Sequence, residues 1–181
     1  MDYNEKTISK ERVFNGSVID VYALRVMLPD GKEARRDLVE HPGAAVIIPF
    51  SPNGELYMVR QYRKPLEKTT LELPAGKLDK GEDPKVCAER ELREETGLTA
   101  KEISHIISIN STPGFCNEVL HMYIARGLEE GEACADEDEF ISAEKIPVRE
   151  LVQKILNHEI TDAKSIIGIL LAEKIINGEI G

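Results

Sequence analysis

The chain has 181 residues, 33 acidic against 23 basic, and a net charge of −10, with the 41% hydrophobic content of an ordinary globular protein. That length supports one well-cored domain with a small appended piece, not two large ones. The acidic balance argues against sequence-independent binding to nucleic acid or to a membrane surface, so an anionic substrate would have to be met by local arginines or bound cations.

The first third reads as β structure. "ERVFNGSVIDVYALRVML" mixes β-branched and aromatic residues around the turn signal Asn15-Gly16, and Pro29-Asp30-Gly31 marks a second reversal. "ARRDLVEHP" continues as a polar strand. After Pro42-Gly43, "AAVIIPF" has the composition of a strand buried on both faces. Asn53-Gly54 is the strongest hairpin signal in the chain and leads into "ELYMVRQYR", while "TTLELPAG" reads as one further strand ending at Pro74. Residues 84–96 are predicted as a helix, with Asp83 as N-cap, Pro84 at the first helical position and Gly97 as the stop; Val86 and Leu92 are expected in its core face. "EISHIISINST" and "VLHMYIARGL" read as strands around the loop "TPGFCNE". An acidic loop, "EEGEACADEDE", precedes a short strand near Phe140. Two amphipathic helices close the chain, "PVRELVQKILNHE" and "DAKSIIGILLAEKIING", the second capped by Asp162 and stopped by Gly178. The one boundary is at Pro42-Gly43, dividing an N-terminal β subdomain (residues 1–42) from an α/β body (residues 43–181).

Cys87, Cys116 and Cys134 form no CxxC pair, which argues against a disulfide framework and a structural zinc site and fits a reducing cytoplasm. "MDYNEKTISKERVF" lacks the layout of a signal peptide, and no apolar run is long and uninterrupted enough to span a bilayer. The expectation is a soluble cytoplasmic protein.

The chemistry is concentrated in "PAGKLDKGEDPKVCAERELREETGL". Glu91, Glu94 and Glu95 fall three and four positions apart, which on a helix sets them on one face about 5–6 Å from one another, a like-charge arrangement that costs about 0.2–0.5 kcal/mol per pair. An acidic run on a helix is ordinarily a solvated face. Here, however, Gly76, Glu82, Arg90, Glu91, Leu92, Glu94, Glu95, Gly97 and Leu98 fill every place of the pattern G-x5-E-x7-R-E-U-x-E-E-x-G-U, where U is aliphatic. Seven fixed residue types in register have a chance frequency on the order of 10⁻⁸ per starting position, so the run is not accidental. Glu91 and Glu95, one turn apart, suit a hard divalent cation that takes oxygen ligands, and Glu94 borders the same face. Arg90 reads as too far round the helix to join that face and suited to an ion pair with Glu82 or Glu94 that fixes the preceding loop.

This motif is the signature of the Nudix hydrolases, which the chain resembles. Pro113 beyond the motif, "RRDLVEHPGAAVIIPF", "VRQYRKP" and "ITDAKSIIGILLAEKII" extend the resemblance to the ADP-ribose pyrophosphatase branch over nearly the full length. The resemblance implies a Nudix-type α/β/α sandwich with a mixed sheet and an N-terminal antiparallel β subdomain that helps form a homodimer. It implies Mg²⁺-dependent, or Mn²⁺-dependent, hydrolysis of ADP-ribose to AMP and ribose 5-phosphate, with about two or three ions per site. Metal would be held by Glu91, Glu95, the carbonyl of Ala75 and Glu139, with Glu137 as general base, Glu94 assisting, and Glu82 and Arg90 fixing the loop. Spacing favours Glu137 as base and Glu139 as ligand, but leaves their order open. Arg36, Arg63, Leu78, Pro113, Gly114 and Glu118 are the substrate candidates, and Arg63 is the stronger of the two arginines because it adjoins Tyr62 on the strand leading to the catalytic loop. His41 stands where that branch can carry another basic side chain. The alternatives are a Nudix enzyme for a nucleotide-sugar or an oxidised nucleotide, and a non-catalytic sensor of ADP-ribose or another NAD metabolite. No GxSxG elbow, P-loop or GxGxxG offers a competing chemistry.

Overall fold

A computed structural model describes residues 2–131 and 140–180. They fall into two compact units, Met1–Gly43 with Asn110–Val119, and Ala44–Ile109 with Leu120–Gly181. The loop "TPGFCNE" therefore belongs with the N-terminal unit, whereas the boundary read from the sequence places it in the body. Hydrogen bonds explain the difference: Val39 N–H donates to the Phe115 carbonyl at 2.7 Å, Asn117 N–H to the Val39 carbonyl at 3.1 Å, and His41 N–H to Asn117 Oδ1 at 2.8 Å.

The first unit is an antiparallel sheet in the order β1 (Lys6–Asn15), β2 (Asp20–Met27), β3 (Glu33–Glu40). Gly16 N–H donates to the Ile19 carbonyl in the first turn, and Gly31, at φ 84°, makes the second. All ten residues of β1 are exposed, Ile8, Val13 and Phe14 among them.

The second unit carries β4 (Ala44–Pro49), β5 (Glu55–Arg63), β6 (Lys68–Glu72), β7 (Ala75–Lys77), α1 (Pro84–Thr96), β8 (Leu98–Asn110), β9 (Val119–Glu130), β10 (Ser142–Pro147), α2 (Val148–Leu156) and α3 (Ala163–Ile176). Its mixed sheet runs β7-β4-β9-β8, with β4 parallel to β9 and antiparallel to β7. Every residue of β4 is buried, as an all-apolar strand requires. Val46 and Ile48 pack in one core with Ile169 and Ala172 of α3, while Ala45 and Ile47 pack in a second with Cys87, Ala88 and Leu92 of α1. This is the expected α/β/α layering, and each fully buried Ile or Leu contributes about 1.5–3 kcal/mol to it.

Two local expectations are corrected. Asn53-Gly54 does make a tight reversal, with Gly54 at φ 75°, but the strands on either side separate into different sheets, joined by a single antiparallel bridge between Phe50 and Leu56. β5 pairs instead with β10 and β6. "TTLELPAG" is likewise two strands. Pro74 has no N–H for a ladder, its carbonyl accepts from Ile47 N–H at 2.8 Å, and the chain passes from β6 to β7 across it.

Helix α1 has the predicted bounds. The Asp83 carboxylate accepts from Lys85 N–H at 2.8 Å, and Gly97 takes the left-handed conformation at φ 69° with its N–H on the Arg93 carbonyl. Val86 is 53% exposed, against expectation, because the buried stripe is Cys87, Ala88, Glu91, Leu92 and Glu95, and position 86 points away from it.

Candidate active site

The buried stripe of α1 places two carboxylates in the core-facing layer. Glu91 and Glu95, one turn apart, are each only 8% exposed. Below them runs β7. A Cβ built on Gly76 would lie 1.8 Å from both Cδ and Oε1 of Glu91, so only glycine lets the carboxylate approach the strand so closely. Next to it, the Ala75 N–H donates to Glu95 Oε2 at 3.0 Å. In extended backbone a residue's N–H and C=O point to the same side, which turns the Ala75 carbonyl towards Glu95 as well.

Arg90 links this helix to its loop. Its Nε and Nη2 donate to Glu82 Oε1 and Oε2, both at 3.0 Å, and Nη1 donates to Glu91 Oε1 at 2.6 Å and Glu94 Oε2 at 2.9 Å. Nη2 also reaches the Lys77 carbonyl at 3.2 Å. The sequence reading held Arg90 away from the carboxylate face. The side chain is long enough to lie along the helix surface, so it joins Glu91 and Glu94 while clamping Glu82. Glu82 also accepts the Asp79 N–H at 2.9 Å, which closes the loop on itself. The Arg90 fork holds the Glu82 carboxyl at about 2, well below the ordinary range. Burial pushes the Cys87 thiol beneath them up to about 12, so it is a protonated packing group and not a nucleophile.

The donor set fits a hard cation. Among the described residues no three His, Cys, Asp or Glu side chains converge into a ready-made cage. Mg²⁺ does not need one: it keeps several waters and takes one or two carboxylates plus substrate phosphates. Two buried carboxylates one turn apart, a cradle that admits only glycine and an adjacent main-chain carbonyl supply oxygen ligands of that kind. Glu91 and Glu95 are the residues that could hold the ion, with the Ala75 carbonyl beside them.

The other candidates are spread over both units. Arg63, at the end of β5, lies in the second unit, where its charge feels that of Glu95. Leu78 is 9% exposed and packs with Cys87, Ala88 and Leu92, so most of its side chain is spent on the core and not on an open surface. Arg36, Pro113, Gly114 and Glu118 belong to the first unit. Arg36 donates through Nε to Glu5 at 3.0 Å, Pro113 and Gly114 form an exposed turn, and Glu118 Oε1 stands 3.3 Å from His41 Nδ1. Glu137 and Glu139 lie outside the described residues. The sequence reading overlooked Glu72, a 3% exposed carboxylate bound to Arg63. Its one signal was a charge inside the apolar run "LELP".

A loop and carboxylate-bearing helix of this make, on an α/β/α sandwich, suit chemistry that uses a hard cation, and comparison with known proteins gives the class. The NUDIX domain model matches residues 39–167. The chain is 44% identical over 163 residues to the ADP-ribose pyrophosphatase of Bacillus subtilis (strain 168), covering 89% of this chain and 88% of that one. It is 44% identical over 169 residues to the methanol dehydrogenase activator of Bacillus methanolicus, covering 92% and 91%. The ADP-ribose pyrophosphatase of Mycobacterium tuberculosis (strain ATCC 25618 / H37Rv) is 35% identical over 180 residues, covering 98% and 87%. A solved ADP compounds hydrolase shares the fold, with a TM-score of 0.86 over 99% of this chain and 98% of that one at 19% identity. The chain belongs to the Nudix family and is a hydrolase of that family. Among the described residues no helix is long and apolar enough to cross a membrane.

Proposed function

We propose that the protein hydrolyses the diphosphate bond of ADP-ribose to AMP and ribose 5-phosphate with Mg²⁺ at the carboxylate face of α1. The observation that carries this reading is the seating of Glu91 against Gly76, with Glu95 on the Ala75 N–H, inside a chain 44% identical to an ADP-ribose pyrophosphatase. Glu91, Glu95 and the Ala75 carbonyl would hold metal, which when bound neutralises the diphosphate and lowers the pKa of an attacking water. This chain's own groups do the rest. Glu82 and Arg90 fix the loop that carries Ala75 and Gly76, Glu94 borders the site, and Arg63 meets a phosphate oxygen. The base is assigned by sequence to Glu137, with Glu139 as a further ligand, and Arg36, Pro113, Gly114 and Glu118 are assigned to the substrate. The N-terminal unit is assigned to self-association, which the wholly exposed β1 with Ile8, Val13 and Phe14 supports.

The test is a panel of ADP-ribose, nucleotide-sugars, NAD and oxidised nucleoside triphosphates, assayed with purified protein and Mg²⁺ or Mn²⁺. The expected result puts ADP-ribose among the highest kcat/KM values; its absence from that group refutes the substrate. Light scattering on the same sample reads the dimer. A second reading comes from the relative in Bacillus methanolicus: a Nudix hydrolase that activates a dehydrogenase. Adding a methanol dehydrogenase to the assay separates the two, since only that reading expects the dehydrogenase rate to rise.

A further inference from the structure

Glu72 is the most deeply buried carboxylate described, and the reading above gives it no role. It ends β6 at 3% exposure, where a carboxylate persists only when paired and hydrogen-bonded. Arg63 of β5 clamps it on two prongs, Nε donating to Oε1 at 2.9 Å and Nη2 to Oε2 at 2.8 Å. Lys164 of α3 pairs with Oε2 from the other side, and Thr70 Oγ1 donates to Oε1 at 2.5 Å. Burial alone would push this carboxyl up; Arg63, Lys164 and Thr70 outweigh it and hold it at about 2.

The clamp is anchored well beyond Arg63. Lys164 also donates to Asp162 at 3.0 Å. Ser165, fully buried, donates to the same Asp162 carboxylate at 2.6 Å and accepts the Leu73 N–H at 2.7 Å. The head of α3 thus grips Glu72 and Leu73 together, just before Pro74 leads the chain into Ala75 and Gly76. Arg63 itself keeps 37% of its side chain exposed and lines a cavity of about 380 Å³ with Pro65, Leu66 and Thr161. Glu72 occupies two of the five guanidinium N–H groups and leaves the other edge for a ligand. A free arginine side chain must give up rotamer entropy when it binds a ligand; here the bond to Glu72 already restricts it.

We infer that Glu72 is a positioning residue: braced by Lys164 and Thr70, it holds Arg63 in the orientation that receives a phosphate oxygen of a nucleoside diphosphate substrate. The inference rests on the proposed function for what Arg63 binds, but not for how Arg63 is held.

Two measurements test it. The first is the ¹H–¹⁵N signal of the Arg63 Nε–H in substrate-free protein, assigned by its loss in Arg63→Ala. It is expected to be sharp and slowly exchanging in the wild type, weakened in Thr70→Val and lost in Glu72→Gln. The second is steady-state kinetics with ADP-ribose and Mg²⁺. Glu72→Gln is expected to raise KM about tenfold with kcat changed less than about threefold, Thr70→Val to raise it less, and neither to add anything in an Arg63→Ala background. A merely structural role would lower both parameters through loss of folded protein and would persist without Arg63. An unchanged Arg63 signal in Glu72→Gln, or the same rise in KM in the Arg63→Ala background, overturns the inference. If Glu72→Gln does not fold, Thr70→Val carries both comparisons, because valine keeps the shape of threonine and removes its short bond to Glu72 together with a longer one, 3.2 Å, to the Gln61 carbonyl. If the wild type fails to cleave ADP-ribose, the substrate reading falls while the Arg63 signal still decides whether Glu72 orders the arginine.

Discussion

The Glu91 carboxylate occupies the space where a side chain at position 76 would begin: a Cβ there would stand 1.8 Å from its Cδ. The clash is with the mobile end of a side chain and not with backbone, so Gly76→Ala should move the carboxylate and leave the helix in place. Stability is expected to fall by about 1 kcal/mol, or about 2–4 °C in Tm. Metal-dependent kcat/KM should fall about 100-fold, since a displacement of about 1 Å at a reacting centre has that effect. Thermal unfolding and kinetics on one preparation check the split; equal activity would mean that the seat of Glu91 is immaterial.

Glu95→Gln isolates charge from shape. The amide oxygen can still accept the Ala75 N–H, so the packing of α1 on β7 is kept. What disappears is half of the anionic pair that would hold the cation. A metal site supplies several kcal/mol of charge stabilisation, so kcat/KM at saturating Mg²⁺ should fall on the order of 10³-fold. Full Mg²⁺-dependent turnover in this variant would sink the metal assignment.

Acid stability should report Glu72. Its folded pKa is depressed from 4.5 to about 2. A depressed carboxyl contributes stability that is fully present above its unfolded value, and that contribution is lost as pH falls from about 4.5 towards 2. The linkage amounts to about 3 kcal/mol for this group, whose side chain is 4% exposed. Urea unfolding of the wild type at a series of pH values should therefore show a steep decline across that window. Glu72→Gln should be less stable at neutral pH, where it strands Arg63 and leaves Lys164 with Asp162 alone, and should show a flatter acid limb. Parallel slopes would assign the decline to other carboxyls.

Much of this was written in local sequence. The bounds of α1 followed from Asp83, Pro84 and Gly97, because capping is decided within a few residues. The double burial of β4 followed from its unbroken apolar run. The carboxylate face was legible because i to i+4 spacing alone places Glu91 beside Glu95. The partners chosen by distant strands were not. Asn53-Gly54 fixes a reversal but cannot reveal that β4 pairs with β9 and β5 with β10, a choice made by core burial across the chain. Nor could the sequence show that Arg63 and Lys164, separated by a hundred positions, meet on one buried glutamate. The pairing of Arg90 with Glu82 and Glu94 was legible, but its contact with Glu91 was not, for a simpler reason: helical angles locate a Cβ, not the end of a four-bond side chain.

The reach of Arg90 makes the last prediction. Its planar fork holds both oxygens of Glu82 on one side and touches Glu91 and Glu94 on the other. A lysine carries the same charge as a single point and cannot span the two groups at once. Arg90→Lys should therefore leave the fold intact but loosen the loop of residues 77–82 from α1. Supporting contacts of this kind change metal affinity or activity by about 10–100-fold, and a fall in that range is expected here. If the arginine acts by fixing the loop, Glu82→Gln should lose a similar amount. The double variant should then be little worse than either single one, since both remove one link. Hydrogen exchange should show the Asp79 and Glu82 amides, bonded within the loop, losing protection in each. Losses that add in full would mean that Arg90 acts directly on Glu91 and Glu94 and that the loop keeps its place without it.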